Sequence, residues 1–145
     1  MKHFAAVSLL VLVFLSGCKV EPQPLNFGTD GCHFCKMTIM DKKFGGEVVT
    51  TKGKVFKFDD ANCMINFLNT GEIKERDIAF RLMIDFSQPE KLIDANNGFF
   101  LKGESIKSPM ASKVAAFEDY EVMNNYKKEL NAIYLTWGEL VTQFK

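Results

Sequence analysis

The 145-residue chain has no surplus of either charge: 18 Lys and Arg stand against 18 Asp and Glu, interspersed along the sequence. Nucleic-acid binders gather Lys and Arg into a stripe or patch, so this pattern excludes nucleic acid as a partner. There is also no apolar run long enough to cross a bilayer. The longest, from Phe4 to Leu15, stops after about a dozen residues where a spanning helix needs about 20. Histidine is scarce, with two in the chain, and cysteine is limited to four. A site made of soft or basic donors must therefore draw on few, identifiable side chains.

What is present begins with an export signal. Lys2, the apolar run and Leu15-Ser16-Gly17-Cys18 have its three-part layout. The last four residues resemble the lipobox of bacterial lipoproteins, in which the cysteine is acylated and becomes the first residue after cleavage. This implies a signal peptide over 1–17, a lipidated Cys18, and a protein anchored through its N-terminal lipid on the periplasmic side of a bacterial membrane. One acyl chain binds a bilayer only marginally, so several are needed for durable attachment. The competing reading is an uncleaved apolar N-terminus. Removing residues 1–17 takes away Lys2 and His3, leaving a net charge of −1 and His33 as the one imidazole.

The remaining 128 residues fit one domain, and fourteen Phe supply apolar bulk for its core. Residues 18–29, with two Pro and no periodicity, read as a lipidated terminus and flexible tether to a domain over 30–145. Glu47 to Thr51 and Val55 to Phe58 read as strands of a hairpin turning at Lys52-Gly53-Lys54. A helix should follow, capped by Asp59 or Asp60, with Ala61, Met64, Ile65 and Leu68 on one face and Asn69-Thr70-Gly71 as its stop. Ala79 to Phe86 reads as a buried strand. The pattern returns at a constant offset of 59: Phe58-Asp59-Asp60, Cys63-Met64, Asn66 and Phe67 align with Phe117-Glu118-Asp119, Val122-Met123, Asn125 and Tyr126. The fold class is therefore α+β, with two related βαβ-like (strand-hairpin-helix) modules over about 30–90 and 91–145. A C-terminal helix follows Thr136-Trp137-Gly138-Glu139, where Thr and Glu three residues apart form a capping box. The chain is read as a monomer.

The stretch that carries chemistry is Cys32-His33-Phe34-Cys35-Lys36-Met37, a C-x-x-C-x-M array. Thiolate and thioether are soft donors that favour Cu(I), whereas zinc takes Cys, His and carboxylate and has little use for Met. The spacing alone leaves open a Cys32–Cys35 disulfide, which the oxidising side of a membrane permits. Cys63 could complete a three-cysteine site, but its repeat counterpart Val122 points to a small apolar filler. Met64, Met83 and Met123 read as core. Met110 stands in the polar loop Lys107-Ser108-Pro109-Met110-Ala111-Ser112, which has no apolar periodicity to demand it; two readings stay open, a distant thioether ligand and a loop Met tucked into a nearby gap, and its counterpart at offset 59 is Thr51. His33 is a candidate imidazole ligand, although spacers of such loops often face solvent. Asp59, Asp60 and Asp119 are accounted for by helix capping.

Taken together, the lipobox at Cys18, the Cys32-to-Met37 array, Phe58-Asp59-Asp60 with Cys63, and the Ser108-Pro109-Met110 loop leading to Ala116-Phe117 resemble the NosL lipoproteins, copper chaperones for nitrous oxide reductase. The resemblance runs through most of the chain. It implies a Cu(I) carrier, not an enzyme, that hands copper to nitrous oxide reductase during assembly of its copper centres. The ligands it implies are Cys35, Met37 and Met110, with Cys32 and His33 as further candidates. The chain departs from the family where Asp41-Lys42-Lys43-Phe44-Gly45-Gly46 replaces a stretch that many members carry with His and Pro. Two other readings compete: a thiol-disulfide oxidoreductase using Cys32 and Cys35, and a structural zinc lipoprotein binding through Cys32, Cys35, Cys63 and His33.

Overall fold

The hairpin follows from its β-prone runs and their glycine turn: β1 (Gly46–Thr50) pairs antiparallel with β2 (Val55–Phe58), Val48 opposite Phe56, and Gly53 turns the chain at φ +79°. The structure is a computed structural model and describes residues 19–144, so Cys18 and the segment read as an export signal lie outside it. β3 (Ile78–Ile84) pairs with the other edge of β1, and β4 (Leu92–Asp94) pairs with β3, giving the order β2-β1-β3-β4. β1 is thus central, and a side chain at Gly46 would bring its Cβ within 2.2 Å of the Leu82 carbonyl.

α1 (Ala61–Asn69) crosses this sheet with Asp60 as N-cap, its Oδ1 accepting the Ala61 N–H at 2.6 Å. Ala61, Met64 and Ile65 face inward as the periodicity requires, and Leu68 packs against the same core. Cys63 and Phe67 are buried as well, so the helix is enclosed over a wider arc than one stripe.

The second module repeats the plan. β5 (Phe99–Lys102) lies between β6 (Val114–Phe117) and β7 (Ile133–Leu135), and α2 (Tyr120–Glu129) is capped by Asp119, whose Oδ1 accepts the Val122 N–H at 2.9 Å. α3 (Trp137–Thr142) starts with the expected Thr136–Glu139 capping box and buries Leu140 completely. All sheet pairings are antiparallel, and the architecture is a mixed helix and sheet domain with two antiparallel sheets and three α-helices among the described residues. The sheets meet where β3 ends: Phe86 N–H donates to the Ala116 carbonyl at 2.8 Å, and Glu118 N–H to Asp85 Oδ2 at 2.9 Å.

The repeat is real from β2 to α1 but not before. β2 and β6, like α1 and α2, stand 59 residues apart, yet Gly46 opposes Phe58 while Phe99 opposes Phe117, so β1 and β5 stand 53 apart. The six extra residues sit in the hairpin connection, which lengthens from 50–54 between paired Val49 and Val55 to 103–113 between paired Lys102 and Val114. Met110 lies in this enlarged loop, and its assignment to Thr51 at constant offset is corrected accordingly.

The segment read as a tether is partly attached. Gln23 N–H donates to Glu47 Oε1 at 2.9 Å, Lys57 Nζ donates to the Pro24 carbonyl at 2.8 Å, and Leu25 is buried. The chain therefore joins the domain from Gln23 onward rather than from residue 30, because the open face of β1 and β2 needs covering. No helix among the described residues is long and apolar enough to cross a membrane.

Candidate metal centre

The C-x-x-C array forms a tight turn laid against β2. Cys32 N–H donates to the Met37 carbonyl at 2.7 Å, Lys36 N–H returns to the Cys32 carbonyl at 3.0 Å, and His33 N–H bonds the Lys57 carbonyl at 2.7 Å. Lys36 adopts the left-handed region at φ 67°, which lets the chain fold back within one turn. This turn and the first turn of α1 bring Cys32, Cys35, Asp59 and Cys63 together, with one sulfur or oxygen of each within 4.8 Å of all the others. Cys32, Asp59 and Cys63 are buried, Cys35 is partly exposed, and the three cysteines are free thiols.

Asp59 and Cys63 correct the sequence reading in part. Asp60 alone caps α1; Asp59 instead turns into the cysteines, its Oδ2 accepting from the Cys35 thiol at 3.4 Å while Oδ1 has no partner. Cys63 is as buried as a filler would be, but its thiol faces Cys32 and Asp59. A signal was available: two adjacent carboxylates cannot both be N-cap, so one of Asp59 and Asp60 was left for another purpose.

The thiols are electrostatically unequal. A hydrogen bond from Cys63 draws the Cys32 thiol down to about 6 against its burial, helped by the backbone N–H groups of Cys35, Asp59 and Phe34. Burial pushes Cys35 up to about 11, and its bond toward Cys32 adds to that. Donation to Cys32 raises Cys63, as do its burial and the Asp59 carboxylate. Of the three, Cys32 is the thiol favoured to lose its proton first.

Met110 arrives from the second module. Its loop is clamped on the N-terminus of α1: Asp60 Oδ2 accepts from Ser108 Oγ and from Met110 N–H, each at 2.8 Å, and from Ser112 N–H at 3.3 Å; Oδ1 also accepts from Ser112 Oγ. Asn62 Nδ2 donates to the Met110 carbonyl at 2.7 Å. Met110 is half-buried and packs against the same core as Cys35. Met37 is 58% exposed at the lip, with Phe34 and Met40 exposed on the same loop.

His33 is placed elsewhere. Its ring stands edge-on to Phe56 at 4.7 Å and Phe67 at 5.0 Å, and burial lowers its pKa, favouring neutral imidazole in an aromatic pocket. It is not among the four residues that converge, so the zinc set Cys32, Cys35, Cys63 and His33 is not brought together. Cys18 lies outside the described residues.

Three thiols and a carboxylate converging between a turn and a helix start form a set able to hold a metal ion, and the arrangement is not thioredoxin-type, because the C-x-x-C opens no helix and follows no strand. The chain belongs to the NosL family, which it matches over residues 25–143. The fold is similar to the crystal structure of the copper chaperone NosL from Shewanella denitrificans, with a TM-score of 0.69 and 21% identity, covering 83% of this chain and 96% of that one. No curated protein matches the chain.

Proposed function

We propose that this chain is a Cu(I) chaperone, anchored on the periplasmic side of a bacterial membrane through lipid on Cys18, that supplies copper to nitrous oxide reductase during assembly of its copper centres. The observation that carries the reading is the convergence of three free thiols beside two thioether-bearing loops in a chain of the NosL family. Cu(I) is the cargo. The donor set fits it, since thiolate and thioether select soft monovalent copper. Asp59 would also suit zinc with the three cysteines, but zinc leaves the exposed Met37 and the clamped Met110 without a purpose.

A carrier must bind tightly and still release. Cys35, Met37 and Met110 are the ligands this function calls for, because they lie at the partly exposed side where a recipient's ligand can approach. The exposed apolar side chains Phe34, Met37 and Met40 would meet the partner around the ion. Copper then leaves by exchange, one sulfur at a time.

The test is the copper content of nitrous oxide reductase from cells lacking this chain. The expected result is reductase with depleted copper centres, restored by the intact gene and not by a Cys35→Ser, Met110→Ala double variant. Reductase with its full copper complement in the deletion strain would overturn the assignment. A Cys18→Ala variant is expected to leave the membrane fraction and to take up no labelled fatty acid.

A further inference from the structure

We infer that the site has two positions for one Cu(I): an inner one on the thiols of Cys32, Cys35 and Cys63, and an outer one on Cys35, Met37 and Met110, with Cys35 common to both. The inference rests on the copper-carrier reading and adds the inner position to it.

The first ground is distance. Metal–thiolate bonds are about 2.3 Å for zinc, so two sulfurs on one ion stand at most about 4.6 Å apart, and thiols within 4.8 Å of one another need only a small inward shift to share an ion. The second is the gradient of exposure, from 1% at Cys32 and 2% at Cys63 to 58% at Met37, with Cys35 in between. A single site has no need of ligands at both extremes. The third is Asp59. It is 3% exposed, aimed into the cluster through Oδ2, and its Oδ1 has no partner. Buried carboxylates are normally paired or beside a metal, and an oxygen left without a partner beside three thiols is what a cation position presents.

The division of labour follows from chemistry. Thiolates bind Cu(I) more strongly than thioethers, so the ion rests inside, away from oxidants. Each thiol that binds gives up its proton to solvent. On transfer, Cys32 and Cys63 release the ion and regain protons, Cys35 keeps hold, and Met37 and Met110 take it at the surface. Copper remains monovalent throughout, so no electron acceptor is needed. Asp60 and Asn62 fix the outer ligand next to the inner site by holding both ends of the Met110 peptide.

The experiment uses the full-length lipoprotein in detergent, made with selenomethionine and loaded anaerobically with one equivalent of Cu(I). Copper X-ray absorption of the wild-type protein should show sulfur neighbours and no selenium. In Cys63→Val, a replacement that the equivalent position Val122 already carries, selenium should enter the copper shell, and a chromophoric Cu(I) chelator should remove the ion about tenfold faster or more. Selenium neighbours already present in the wild type, or a variant with unchanged shell and release rate, would overturn the inner position while leaving the carrier intact. Failure of the wild type to take up Cu(I) would instead overturn the carrier reading itself. Should Cys63→Val not fold, the wild-type spectrum decides alone.

Discussion

The two modules share a scaffold and differ in what their helix starts do. In the first, Asp59, Asp60 and Cys63 open α1; in the second, Glu118, Asp119 and Val122 open α2 at the same places. Asp119 only caps its helix and is exposed, and Glu118 pairs with Lys91 at the surface. Asp60 caps and also clamps a loop from the other module, while Asp59 turns inward to the thiols. The difference traces to the hairpin loop before β6, whose added residues reach across to α1. Because the first module's loop is short, α2 receives no such visitor. A duplicated scaffold thus yields a single site, set by one enlarged connection.

The comparison can be broken most severely at Asp60. Asp60→Ala should destabilise the domain by about 3 kcal/mol or more, because buried donors from Ser108, Ser112 and the Met110 backbone lose a charged acceptor at once. Asp119→Ala should cost about 1 kcal/mol, the usual value of an exposed cap. Urea midpoints of the two variants measure the gap, and equal losses would contradict the clamp. Next comes Cys35→Ser, which removes the thiol nearest the surface. Cu(I) affinity should fall by more than about a hundredfold, beyond what residues that merely orient a ligand contribute. Competition with a chromophoric chelator reads it.

The smallest effect is expected at Glu47, whose counterpart by strand pairing is Phe100; both are fully buried. Burial raises the Glu47 carboxyl above its ordinary value of 4.5, with the Gln23 N–H and Lys57 opposing. The folded state then holds this proton more tightly than the unfolded chain. Its contribution is complete below the unfolded value and is lost as pH rises through the folded one. Glu47→Gln should remove that loss, flattening the thermal midpoint against pH and adding about 1 kcal/mol or less near neutrality. A steeper profile in the variant would show that the carboxylate is compensated after all.

Much of the fold was legible because it obeys local rules. The 47–58 hairpin, α1 with its Asp60 cap, and the Thr136–Glu139 box before α3 are set by propensity, periodicity and side-chain-to-backbone bonds within a few residues. The repeat was visible where helix and strand carry side-chain patterns, and misleading across the loop, where chain length changes without leaving a periodic trace.

The array at Cys32, Cys35 and Met37 needed only residue type and spacing to be noticed. What the sequence could not contain was the company these residues keep. Cys63 read as filler because burial and ligation ask for the same small apolar thiol, and only proximity to Cys32 separates them. Asp59 read as a cap because neighbouring carboxylates compete for one helix end, and packing chose Asp60.

By itself, then, the chain determined its secondary structure, its duplicated plan and the kind of donor atoms it offers, since all three follow from local chemistry. Only the tertiary structure decided which of those donors meet, because joining residue 35 to residues 59 and 63, and hanging residue 110 beside them, depends on contacts between segments far apart along the backbone.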